Sequence, residues 1–346
     1  MSLLSGVSDF FGLDLGTTAV RVVELRGGGP TKQLFKYASA PINSAIAASD
    51  ADNDQHKVAQ VIHDLITTSQ ISTRNVAVGI PSYKVFTTVV DIDRLSPNDL
   101  AKTIRLQADS LIPTPLSESK IDWAVIGDSP KDKSKQEVLL TSVTNEYIEK
   151  QLDILESIGL NVIAFEPDNL ALARAMVAPE STNPQVVLDI GHKTTDLVIV
   201  MNGAPRLTRS IPTGSEAILR SAVQNLGIDQ KQAEQFVFKF GLNKNKLEGQ
   251  IYQSIIGTVD LIVSEVEKSI KFFQTRYVDT PIDRIVVTGN AAGLPEFPLY
   301  VANKTGLKVE IGNAWRNVAY PQSQQNELLS VSNNFGVSIG LAERIE

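Results

Sequence analysis

The sequence predicts an α/β protein of two similar halves, the first interrupted by a small α/β insert and the second by an all-helical segment. Two observations carry this. A strand, a tight turn and a second strand occupy residues 10–23 (FFGLDLGTTAVRVV) and recur at 186–201 (VVLDIGHKTTDLVIVM), each followed by a Gly- and Pro-containing turn and a third strand. Around them, short β-branched runs alternate with stretches whose apolar residues return at helical spacing, the pattern of strands and helices layered on shared cores. One such hairpin is ordinary. A repeat of hairpin, turn and third strand implies two related units facing each other.

Taken in order, the first hairpin turns at Asp14, Leu15, Gly16, Thr17 and Thr18, residues 26–30 (RGGGP) form a second turn, and residues 33–40 a third antiparallel strand. Residues 43–54 read as a polar connector. Within 57–67, Val58, Val61, Ile62, Leu65 and Ile66 share one helical face, with His63 off it as a surface residue. Residues 76–80 are a buried strand. From 81 to 161 the rhythm changes: a strand at 85–92, a helix with Ser96 as cap and Pro97 in its first position, strands at 121–126 and 138–143, then a helix from Asn145 closed by Gly159. The mixed-charge loop 128–135 is a solvated hairpin turn. Residues 162–165 lead through Glu166, Pro167 and Asp168 into a helix at 169–176, and 179–184 links the halves.

After the repeated hairpin and a strand at 206–212, the stretch 214–277 is helical. It holds periodic segments at 216–226 and 230–240 and a long run, 247–277, with Ile251, Ile255, Val259, Ile262, Val266, Ile270 and Phe273 on one face. A buried strand at 282–288 ends in Gly289, Asn290, Ala291, Ala292 and Gly293. A glycine at the carboxyl end of a strand, before small residues opening a helix, lets a flat ring approach the backbone. A strand at 307–311 and the segment 335–346 complete the fold. The first unit is therefore expected at 1–80, 162–180 and 331–346, the insert at 81–161, the second unit at 181–213 and 278–330, and the helical segment at 214–277.

With 346 residues, 42% of them hydrophobic, the chain can fill two cores. A net charge of −7 argues against a general nucleic-acid or anionic-membrane surface. The absence of cysteine excludes disulfides and thiolate chemistry and fits a reducing compartment. No uninterrupted apolar stretch reaches the roughly 18 residues of a spanning helix. Leu3, Leu4, Val7, Phe10 and Phe11 fall at helix-like spacing before the first strand, a segment that either packs on the fold or makes a small amphipathic contact.

The chemistry lies in the turns. Gly16 lacks the side chain that would block close backbone approach, and the N–H groups and hydroxyls of residues 16–18 can converge on an oxygen anion. A carboxylate beside a phosphate repels it unless Mg2+ or water intervenes, so Asp14 reads as an outer ligand of magnesium. Taken alone, the same turn also reads as an ordinary Gly-Thr hairpin.

Two phosphate-type hairpins, a Glu-Pro helix and a strand-Gly-small-small turn, in that order, resemble the actin-like ATPase superfamily, which includes actin, the heat-shock 70 chaperones, sugar kinases and FtsA. The resemblance implies an actin-like, ribonuclease H-like fold in which DLGTT and DIGHKTT clasp phosphates from two sides and TGNAAGL supports adenosine. FGLDLGTTAVRVVEL, the segment from VGIPSYKVFTTVVDI through IRLQADSLIP, FEPDNLALARA and GNAAGLPEFPLYVANKTGLKVEIGNAW most resemble the PilM family of type IV pilus assembly components. The insert sits where PilM and FtsA carry their distinctive subdomain. This implies ATP and Mg2+ as ligands, and docking of the N-terminal cytoplasmic tail of a PilN-like membrane protein in a groove beside the insert. It also implies contacts with other pilus assembly proteins and with further copies, a cytoplasmic place peripheral to the inner face of the cell membrane, and at most slow ATP hydrolysis.

Position by position, the resemblance puts Gly16, Thr17 and Thr18 on the β-phosphate and metal-bound water, and Gly191, Lys193, Thr194 and Thr195 toward the terminal phosphate. Asp14 and Asp189 become outer magnesium ligands, and Gly214, Gly289, Asn290 and Ala291 join the nucleotide site. Arg21, near the strand edge, reads as structural instead. Glu265 and Lys268 have the spacing of ribose and adenine contacts in the chaperone branch, which equally describes a surface ion pair. Glu166 resembles the carboxylate that orients attacking water, or belongs to a domain-connection turn. Asn290, where many relatives have a second glycine, and the bulk of His192 imply binding rather than rapid hydrolysis. Two other readings stay within the superfamily. A small-molecule kinase needs a general base, for which no carboxylate beyond Glu166 can be assigned. An FtsA-like membrane-associated filament would carry a basic amphipathic tail, which residues 340–346 do not supply.

Overall fold

The computed structural model describes residues 9–27, 29 and 31–345. Leu3, Leu4 and Val7 lie outside that range. Phe11 does not continue a helical spacing: it opens a strand and is fully buried.

The chain begins with an antiparallel meander, β1 (Phe11–Leu15), β2 (Ala19–Arg26) and β3 (Lys32–Pro41). The expected connector at 43–54 is partly helical. Asn43 Oδ1 accepts from Ala45 N to cap a single turn, α1 (Ser44–Ala47). Then α2 (Asp52–Ser69) starts five residues before the expected helix, with Asp52 and Asp54 in its first turn, where negative charge favours the helix dipole. Its buried residues Val58, Ile62, Leu65 and Ile66 pack on the sheet that β4 (Asn75–Ile80) extends parallel to β1.

The insert follows as β5 (Phe86–Asp93), α3 (Pro97–Leu111), β6 (Ser119–Asp128) and β7 (Lys135–Thr144), an antiparallel sheet in the order β5-β7-β6 with its own small core. Ser96 Oγ accepts from Asp99 N to start α3, and Thr144 Oγ1 accepts from Tyr147 N to start α4 (Asn145–Ser157). The chain then rejoins the first sheet through β8 (Asn161–Pro167), parallel to β4, and enters α5 (Asp168–Met176).

The second meander is β9 (Gln185–Ile190), β10 (Thr195–Met201) and β11 (Ala204–Ile211). Helices α6 (Ser215–Leu226), α7 (Gln230–Phe240, opened by an Asp229–Gln232 capping box) and α8 (Gln250–Arg276) come next. Then follow β12 (Arg284–Gly289), parallel to β9, α9 (Phe297–Thr305), β13 (Lys308–Ile311), β14 (Val318–Ala319), α10 (Gln325–Val331) and α11 (Gly336–Ala342). The sheet orders are β14-β3-β2-β1-β4-β8 and β11-β10-β9-β12-β13. In each, the first strand of the meander pairs antiparallel with the second and parallel with the strand after a helix, so the repeat read in the sequence is a repeat of topology. The chain returns to the first sheet already at β14, which pairs with β3, ahead of residue 331 where the return was expected.

The layers follow from which faces are apolar. Helices α5 and α11 lie between the two sheets, burying Ala171, Leu172, Ile339 and Leu341 against Val23 and Ala77 on one side and Val187 and Val198 on the other. The outer face of the second sheet is covered by α6, α8 and α9, and that of the first by α2 and α4. The central strands β1 and β9 therefore end beside each other.

Candidate functional site

The two hairpin turns open into one cleft of about 210 Å³, at the carboxyl ends of central strands, where α/β sheets bind ligands. Gly16, Thr17 and Thr18 form one wall, Gly191, Lys193 and Thr194 the opposite wall, and Gly289 and Asn290 follow at the end of β12. Asp14 and Asp189 line the floor.

Asp14 is the penultimate residue of β1, is 6% exposed, and sits opposite Arg21 in the ladder, whose Nη1 donates to Oδ2 at 3.2 Å. Burial raises the Asp14 pKa, and the Arg21 guanidinium pulls the other way. Asp189 has no such relief. Burial, Asp196 and Asp14 together push it up to about 7, with Arg21 opposing. Its seat explains Gly289, which has φ +83°: a Cβ there would lie 2.1 Å from Asp189 Oδ1. The glycine first makes room for a carboxylate.

Three residues expected to bind instead brace the second turn from behind. A Cβ on Gly214 would meet His192 O at 2.4 Å, and the next two backbone N–H groups, of Ser215 and Glu216, donate to Gly191 O and His192 O, each at 2.9 Å. Thr195 is fully buried, its hydroxyl donating to Thr213 O at 2.7 Å. Ala291 is also fully buried, its N–H directed to Ile190 O at 3.4 Å. Glu265 and Lys268 form a 2.7 Å ion pair, joined by Arg209 at 3.4 Å, outside the cleft wall.

Glu166 does not join the cleft residues. It is absent from the cleft wall and held by two guanidinium groups: Arg174 Nη1 donates to Oε2 at 3.1 Å and Arg344 Nη1 to the same oxygen at 2.8 Å. Burial would raise its pKa, but Arg174 and Arg344 outweigh that and hold it below the usual range. So bonded, Glu166 joins the β8–α5 turn to the segment after α11 in this structure. The residue that does enter is Asp168, at the start of α5.

Asp196 also lines the cleft and was missed. It faces Asp189 directly across the β9–β10 ladder, and burial pushes it up to about 6, with the hydroxyls of Ser210, Thr194 and Ser82 pulling the other way; of these, Thr194 Oγ1 donates to its Oδ2 at 3.4 Å. Its signal was available: it follows the Thr-Thr pair and occupies the position opposite the turn aspartate, where the first hairpin has Arg21. The insert contributes Tyr83, Lys84 and Tyr147 to the wall, residues to which the sequence reading gave no role in the site.

Asp14, Asp168, Asp189 and Asp196 thus meet in one cleft, with exposed Asp50 at its rim paired to Lys150, and Asp168 Oδ1 and Asp196 Oδ1 are shielded from solvent without a hydrogen-bond partner among the described residues. Among the described residues no three acidic or histidine side chains converge closely enough to cage a metal directly. The donor set fits a hydrated divalent cation held through its waters, the habit of Mg2+ beside phosphates.

A family model described as type IV pilus assembly protein PilM matches residues 12–346. Among solved structures, a PilM–PilN type IV pilus biogenesis complex superposes with a TM-score of 0.81 at 22% identity, covering 96% of this chain and 97% of that one. EutJ from Carboxydothermus hydrogenoformans matches with a TM-score of 0.58 at 15% identity over 96% of this chain and 88% of that one. MreB5 of Spiroplasma citri bound to ADP matches with 0.58 at 14% over 96% and 95%. These likenesses show an actin-like ATPase fold. The chain belongs to the PilM family of type IV pilus assembly proteins.

Proposed function

We propose that this pilus assembly protein binds ATP with Mg2+ between its two sheets and holds the N-terminal cytoplasmic tail of a PilN-like membrane protein in a groove beside the insert. The observation that carries the nucleotide half is the pair of glycine-threonine turns facing each other over buried carboxylates. Backbone N–H groups and hydroxyls of Gly16, Thr17 and Thr18 hold one part of the polyphosphate, and Gly191, Lys193 and Thr194 another. Bound Mg2+ supplies the positive charge that lets phosphates sit beside Asp14 and Asp189. Gly289 and Asn290 receive the nucleoside end.

The partner half is supported by the likeness to a PilM–PilN complex. Tyr83, Lys84 and Tyr147 bring the insert to the nucleotide cleft, so occupancy of one can bias the other. Among the described residues no helix is long and apolar enough to cross a membrane; the tail of the partner would place the protein at the inner face of the cell membrane.

Thermal melting of the full chain tests the first half: MgATP raises Tm, and Asp14→Ala abolishes the rise. A ligand at a hundred times its Kd adds about 2.7 kcal/mol, so no shift in the wild type refutes nucleotide binding. Calorimetric titration with a synthetic PilN-type tail peptide tests the second. Absence of binding both with and without MgATP refutes it.

A further inference from the structure

Asp168 is the cleft carboxylate with least to hold it. Its Oδ1 has no hydrogen-bond partner among the described residues and lies against β4 where a Cβ on Gly79 would come within 2.3 Å of it. Facing it are Asp14, Asp189 and Asp196, and the guanidinium in that group, Arg21, is bonded to Asp14. Glu166, two residues earlier, has two arginines; Asp168 has none. The nearby amines are spent differently: Lys84 lies over the rings of Tyr83 and Tyr147 at 5.8 and 5.7 Å, and Lys193 is exposed on the opposite turn. An uncompensated carboxylate in a low-dielectric cleft destabilises the fold and repels phosphate, and a divalent cation reverses both effects.

We infer that Asp168 is a carboxylate of the cation site, and the one that makes the cleft require a divalent cation before it accepts a polyphosphate. This rests on the nucleotide reading of the cleft. The competing structural role is favourable placement of a negative charge at the start of α5, and the two differ in sign. An aspartate serving the helix terminus stabilises the metal-free protein, whereas one serving an absent cation destabilises it.

The test uses full-length wild type, Asp168→Asn and Glu166→Gln. Each is melted in EDTA and against MgCl2 at ionic strength fixed with NaCl, without nucleotide; ATP affinity is then measured calorimetrically in MgCl2 and in EDTA. Asp168→Asn should melt above wild type in EDTA and gain less from MgCl2. Its MgCl2-to-EDTA ratio of ATP affinities should fall by about tenfold or more, since one like charge has left the site. Glu166→Gln should melt lower and keep the wild-type ratio. If Asp168→Asn does not fold, Asp168→Ser, which removes the charge and keeps a hydroxyl at the helix start, takes its place. An unchanged ratio, with wild type binding MgATP, overturns this inference and leaves the nucleotide reading intact. Failure of wild type to bind ATP in either condition overturns both.

Discussion

Arg276, the last residue of α8, donates from Nε to Oε1 of Glu137 on β7 at 2.9 Å, bonding the helical segment to the sheet of the insert. Tyr277 donates to the same oxygen at 2.7 Å, Arg206 Nε stands 3.4 Å from Oε2, and Arg276 Nη2 also reaches Asp91 at 2.7 Å. The side chains of Glu137 and Arg206 are 1% and 2% exposed. Removing the carboxylate leaves buried cations uncompensated, which costs about 3–5 kcal/mol. Glu137→Gln should therefore lower the unfolding free energy, read from denaturant titration, by that margin. A loss within about 0.5 kcal/mol, typical of surface substitutions, would show that the network holds nothing together.

Glu166→Ala should destabilise by a comparable amount, about 3–5 kcal/mol, because it strands Arg174 and Arg344. The MgATP-induced rise in Tm should persist on the lower baseline. Loss of that rise with the baseline unchanged would return Glu166 to the cleft chemistry.

These two networks mark the limit of what the residues alone disclose. The hairpins and their repeat were legible because each rests on neighbours in sequence: a glycine where the turn must be tight, β-branched residues on both sides, hydroxyls within three positions. Asp14 and Asp189 could be named from that pattern. Glu166 could not be separated from Asp168 by pattern, since what distinguishes them is which one Arg174 and Arg344 reach, and Arg344 lies 178 residues away. Likewise Gly214, Thr195 and Ala291 sit in motif positions yet face the back of the turn, a matter of which side of the strand end they occupy. The connector at 43–54 hid helical turns because Asn43 and the acidic start at Asp52 stabilise them by capping and charge rather than by an apolar stripe.

Glycines at two positions should respond in opposite directions. Gly289→Ala forces a Cβ into Asp189 Oδ1 at 2.1 Å from a backbone of φ +83°. It should lower Tm, through strain of about 1–3 kcal/mol, and remove the MgATP rise by displacing Asp189. Gly257, inside α8, has nothing within 4 Å of an added Cβ. Gly257→Ala should stabilise by about 0.5–1 kcal/mol and leave ligand binding alone. Equal and opposite baseline shifts with retained MgATP response in both would disconnect Gly289 from the site.

The pH dependence of stability should carry the mark of Glu343. It follows α11, and both carboxylate oxygens are shielded without a hydrogen-bond partner among the described residues. Burial pushes it up to about 7 from an ordinary 4.5, despite the pull of Arg174, Lys32 and Arg316. Lys32 is committed elsewhere, donating to Ala342 O and Arg344 O at 2.8 Å each. A folded pKa above the unfolded one means that the native state binds the proton more tightly, so between these values it carries more protons than the unfolded chain. Stability therefore falls as pH rises through about 4.5 to 7 and levels off above. Asp189 and Asp196, raised to about 7 and about 6, add to the same slope. Glu343→Gln should flatten its share, gaining stability at pH 8 and little at pH 4.5, as read from urea midpoints across that range. If the variant instead loses stability at pH 8, the three cations around Glu343 outweigh its burial, and the carboxylate is an ion-pair partner rather than a strained one.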